Sequence, residues 1–94
     1  MENGTVVKDT RRPSLSTGRK LQGKTTFLDA DVWQQFKALC GVQGQQVQDV
    51  LNVLVAQYVE DTAKTVGLRL PAECRKAVTI WLELAEDAGI EVHP

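Results

Sequence analysis

A chain of 94 residues with 43% apolar side chains, 24% charged ones and a formal charge of −1 has room for one small domain with extensions. No run is long and apolar enough to cross a membrane, and the polar amino terminus lacks a secretory pattern, so a cytoplasmic location is expected. The near-zero total hides a division. Residues 1–24 hold Lys8, Arg11, Arg12, Arg19, Lys20 and Lys24 against Glu2 and Asp9, a net +4 that leaves −5 for the remainder.

In chain order, residues 1–23 combine most of this charge with Gly4, Pro13, Ser14, Ser16, Thr17, Gly18 and Gly23 and few large apolar side chains, a composition that predicts a disordered basic arm. Lys24-Thr25-Thr26-Phe27-Leu28 is β-prone and stops at Asp29-Ala30-Asp31, where either aspartate can cap a helix. Val32, Trp33, Phe36, Leu39 and Cys40 then recur at the spacing of one helical face, predicting a first helix from about Asp31 to Cys40.

Gly41 to Gln46 suits a turn. Val47, Val50, Leu51, Leu54, Val55, Tyr58 and Val59 mark a second helix that is apolar almost all round. The valines also permit a strand over residues 52–59, but the helical spacing is sustained too long for one, and Gln48, Asp49, Asn52 and Gln57 break any alternation. After Glu60 the chain is expected to loosen through Asp61 to Arg69. A third helix then begins at Pro71 and ends before Gly89, with an apolar stripe of Cys74, Ala77, Val78, Trp81, Leu84, Ala85 and Ala88.

A strand-helix-helix module of under 40 residues seldom folds alone, and a lone strand leaves its backbone groups unpaired. A two-fold dimer answers both problems by pairing strands antiparallel and sharing the apolar second helices as a core. From Lys24 to about Val59 the chain resembles the ribbon-helix-helix family of bacterial DNA-binding proteins. The resemblance rests on the strand ending Leu28-Asp29, the Val32, Phe36, Leu39 spacing, Gly44 in the turn, and Val47, Val50, Leu51 and Leu54. It implies a mostly α fold: a short strand and two helices in an intertwined homodimer with a two-stranded antiparallel ribbon, plus here an extra carboxyl-terminal helix. The expected divisions are an arm at 1–23, the dimerising DNA-binding domain at 24–60 and a helical extension at 61–94.

In that family the ribbon enters the major groove and the amino end of the second helix grips a phosphate. The resemblance therefore points to base contacts by Lys24, Thr25 and Thr26 and a phosphate contact at Gln46 and Val47, while Arg19 and Lys20 add electrostatic contact from the arm. Two departures stand out. Gln45-Gln46-Val47-Gln48 replaces the Ser or Thr that often starts the second helix. The strand register is also open: a gapless alignment turns Thr25 and Phe27 outward, whereas burial preference turns Lys24 and Thr26 outward.

Catalytic chemistry has no support in the pattern. Cys40 and Cys74 read as free thiols on apolar faces, His93 stands alone near the end, and nothing forms a nucleophile with a base, a metal cluster or a phosphate loop, so no cofactor is expected. The reading is a homodimeric, repressor-like regulator of transcription that binds double-stranded DNA. Two alternatives add a protein partner: an antitoxin-type autoregulator that engages a toxin through residues 71–94, or a plasmid-partition adaptor that stimulates an ATPase through the arm.

Overall fold

The computed structural model describes residue 15 and residues 17–91; most of the basic arm (residues 1–14 and 16) and His93 lie outside them. Three helices follow one another: α1 (Ala30–Val42), α2 (Val47–Val66) and α3 (Ala72–Ala88).

Helix α1 starts where the sequence places a cap. The Asp29 carboxylate accepts a hydrogen bond from the Val32 amide at 3.0 Å, and Asp31 adds negative charge to the first turn. The helix runs two residues past Cys40 and closes with paired bonds, Gly44 N–H to the Gly41 carbonyl at 3.0 Å and Gln45 N–H to the Cys40 carbonyl at 2.9 Å. That closure needs a left-handed residue, and Gly44 supplies it at φ 72°.

Helix α2 extends to Val66, through the stretch expected to loosen. Its last turns are held by local pairs: Lys64 Nζ to Glu60 at 3.2 Å, Gln57 to Asp61 at 2.9 Å, and the Thr65 hydroxyl to the Asp61 carbonyl at 2.9 Å. Buried Ala63 continues the inward line of Val53 and Ala56. The polar residues read as the end of a helix are therefore the solvated side of a longer one. The strand alternative at residues 52–59 is helix throughout.

Pro71 immediately precedes α3, and its carbonyl accepts from the Arg75 amide at 2.9 Å. The helix stops at Gly89, whose φ of 77° turns the chain so that Ile90 N–H reaches the Ala85 carbonyl at 2.8 Å. Between these ends Val78, Trp81, Ala85 and Ala88 are buried, as their spacing predicts. The short Gly67–Pro71 link makes α2 and α3 a helical hairpin, and the buried Gln45 side chain, just before α2, donates to the Ala88 carbonyl at the end of α3 at 3.1 Å. The two helices therefore run antiparallel. Their core is Val53 and Ala56 against Val78, Trp81, Ala85, Ala88 and Ile90, with Leu15, Val50, Val59, Cys74 and Leu82 packed at its edge.

The expected ribbon is not there. Residues 20–29 are coil without regular secondary structure, exposed at every position, and no strand or sheet occurs among the described residues. Phe27, which suggested a strand, is 97% exposed. The physical reason is that β preference measures fit to a pleated, half-buried surface, and this segment meets no surface and no second edge. The ribbon-helix-helix class is thereby corrected to a three-helix fold, in which α3 is half of the core and not an appendage.

Candidate nucleic-acid interface

Two features flank the amino-terminal end of α1: a cationic segment before it and an open apolar surface along it. The segment is anchored at one end. Leu15 packs on the α2–α3 core, and its amide donates to Asp49 Oδ2 at 3.0 Å. A tight turn follows, in which the Thr17 hydroxyl accepts from the Arg19 amide at 3.1 Å and Gly18 takes φ 71°. Arg19 then reaches Glu73 on α3 at 3.6 Å, an exposed pair of small energetic weight. Beyond Arg19 the chain leaves the body, and Lys20, Lys24, Thr25 and Thr26 are all exposed. From Leu15 to Leu28 there are three cations and no carboxylate, so the segment is a positive strip.

Asp49 is the least expected member of this arrangement. It is 2% exposed and lies in the first turn of α2, where its charge faces the positive end of the helix. Burial raises its pKa above the ordinary carboxylate value, and the hydrogen bond from the Leu15 amide opposes that rise. Its second oxygen, Oδ1, is buried without a hydrogen-bond partner among the described residues. Sequence reasoning took Asp49 only as a break in an apolar pattern. The available signal was a carboxylate at the inward spacing of Val53 and Ala56, which requires a donor from elsewhere.

The remaining expected contacts are placed as follows. Gln46 caps α2 through its backbone alone, without a side-chain cap bond, and Val47 opens the helix; both are half-buried. A phosphate bound there meets the Asp49 carboxylate in the same helical turn, which opposes it. Lys24, Thr25 and Thr26 share one exposed run, and Arg19 and Lys20 stand at its base. The structure thus keeps the segment residues together and separates them in character from the α2 start.

The apolar surface is the other half of the site. In α1 only Cys40 is buried, while Val32 is 68% exposed and Leu39 is exposed; Trp33 and Phe36 are half-buried and stack on each other with ring centroids 5.4 Å apart. Lys37 Nζ lies 5.9 Å from the Trp33 ring centroid. In α2 the predicted stripe Leu51, Leu54, Val55 and Tyr58 faces outward, with Tyr58 at 70% exposure. Helix α2 is apolar on two sides, and α3 covers only one.

Among the described residues no group of histidine, cysteine and carboxylate side chains is placed to hold a metal ion, and no disulfide joins Cys40 and Cys74. No helix of the described residues is long and apolar enough to cross a membrane. No protein-family model matches the sequence, and neither a curated protein nor a solved structure matches it.

Proposed function

We propose that the protein is a homodimeric DNA-binding regulator of transcription, joined through the open faces of α1 and α2 and contacting DNA through the exposed segment before α1. The observation that carries this reading is the direct adjacency of the two: the strip from Lys20 to Thr26 holds no carboxylate and leads, past the Asp29 cap, into a helix on which Val32 and Leu39 are exposed. Fully burying a side chain such as Leu, Val or Phe favours association by about 1.5–3 kcal/mol. Val32, Leu39, Leu51, Leu54, Val55 and Tyr58 together supply that driving force in each copy.

Two-fold pairing brings two cationic segments to one assembly and doubles the charge presented to a duplex. Arg19, Lys20 and Lys24 serve phosphates. Thr25 and Thr26, short and able both to donate and to accept, serve base edges, and an extended chain is narrow enough for either groove. The body is net negative after Lys24; Glu83, Glu86 and Asp87 lie on the last turns of α3, whereas Glu73 pairs with Arg19 and Asp29 caps α1 at the end of the strip. Occupying a promoter in this way gives a repressor-like action.

The test is fluorescence anisotropy with duplex fragments from the DNA flanking the gene, at several salt concentrations, beside sedimentation of the free protein. The proposal requires a dimer, a preferred fragment and an affinity that falls steeply with salt. A monomer at micromolar concentration, or equal affinity for all fragments at every salt concentration, rejects it.

A further inference from the structure

The corner where α2 gives way to α3 carries a second surface, independent of the DNA reading. Two adjoining grooves meet there, of about 330 Å³ and 650 Å³, and share Arg69, Leu70, Arg75 and Thr79. The first is walled by Leu68, Leu70 and Val78, and the second by Leu70, Ala72 and Ile80. Around these apolar walls stand Lys64, Arg69, Arg75 and Lys76, four of the five cations that follow Lys24 in the chain. Lys64 pairs with Glu60, but among the described residues Arg69, Arg75 and Lys76 form no ion pair. In a body that is otherwise acidic, three uncompensated cations beside an uncovered apolar groove select a ligand of opposite charge with apolar side chains of its own.

We propose that this corner binds an acidic amphipathic helix of a partner protein, its carboxylates on Arg69, Arg75 and Lys76 and its aliphatic side chains in the two grooves. Charge complementarity identifies the occupant. Arginine offers paired donors that match a carboxylate, and the neighbouring apolar walls lower the local polarity and strengthen the pairing. A DNA backbone satisfies the cations but leaves Leu68, Leu70 and Ile80 without cover. A second copy of this chain offers Glu83, Glu86 and Asp87, yet the apolar residues beside them, Trp81, Ala85 and Ala88, are already buried in its own core. A helix with glutamates on one face and leucines on the other supplies both requirements, in the manner of helix-in-groove recognition.

The experiment uses the full chain and a synthetic fluorescein-labelled helix of about four turns, Glu on one face and Leu on the other. Binding with a Kd on the order of 10 µM is expected, weakened at least tenfold in the double variant Arg69→Glu with Arg75→Glu. Both positions are exposed, so circular dichroism of the variant should match the parent. Peptides with Lys in place of Glu, or Ser in place of Leu, should bind at least tenfold more weakly. The proposal is overturned by absent binding, by an unchanged Kd in the double variant, or by equal affinity for the Ser peptide, which reports charge alone. A parallel loss of duplex DNA affinity in the double variant, or a changed sedimentation coefficient of the protein alone, overturns it equally by assigning the corner to DNA or to a second copy.

Discussion

The Leu15 amide donates to the buried carboxylate of Asp49 across 34 positions of sequence, at 3.0 Å. This bond fixes where the positive segment leaves the body, because Leu15 is seated on the α2–α3 core and the chain turns outward within a few residues. The carboxylate does so at a cost, since one of its oxygens has no partner among the described residues and its pKa is raised by burial.

That cost sets a pH dependence. A carboxyl whose folded pKa lies above its unfolded value of 3.8 binds more protons when folded, so its contribution to stability is greatest below 3.8 and declines as pH rises through the raised value. Asp49→Asn keeps an oxygen for the Leu15 amide and removes the charge. It should therefore be more stable than the parent at neutral pH, with the difference shrinking toward acid. Urea midpoints measured from acid to neutral pH check this. A variant less stable than the parent at neutral pH shows that the helix dipole and the anchor outweigh desolvation.

Association should depend on the outward stripe of α2. Leu54→Glu with Tyr58→Glu places two charges in a face that is apolar in each copy, and both side chains are exposed within the single chain. The dimer should weaken by at least about 2 kcal/mol, seen as a shift to monomer in sedimentation, with helix content retained. An unchanged sedimentation profile moves the contact to another face.

DNA affinity should separate into two parts. Replacing Arg19, Lys20 and Lys24 by Gln is expected to weaken binding to every duplex alike and to flatten the dependence of log affinity on log salt by roughly 0.9 for each lost phosphate contact. Thr25→Ala with Thr26→Ala should leave that slope in place and erase the preference among fragments. If the threonine variant keeps its preference, base reading belongs to another part of the chain.

How much of this was legible in the sequence follows from what each element packs against. Helix α3 was readable because its stripe, Pro71 and Gly89 agree with one another and its partner surface is local. The inward face of α2 was not, because Leu51, Leu54 and Tyr58 outrank Val53 and Ala56 in apolar bulk, while the small residues are those that let α3 approach closely. The run at Lys24–Leu28 was read as a strand from residue preference alone, which fails where no surface exists to reward it. Of the interface, the charge of the segment was plain, whereas its anchor depended on a buried aspartate whose donor lies in the backbone of a distant residue.

The uneven burial of the two tryptophans gives the last expectation. Trp81 is 6% exposed at the centre of the α2–α3 core, whereas Trp33 is half-buried on a helix that gives only Cys40 to the interior. Within one chain α1 therefore has few contacts to hold it, and its opening free energy should lie below that of the hairpin. Trp33→Phe leaves Trp81 as the sole reporter, and Trp81→Phe leaves Trp33. Denaturation followed through Trp81 should begin from a blue-shifted emission, whereas the Trp33 transition should come earlier in dilute protein and converge on it as concentration rises and association covers α1. Coincident transitions at all concentrations make α1 an integral part of the single-chain core and remove the need for a second copy to hold it.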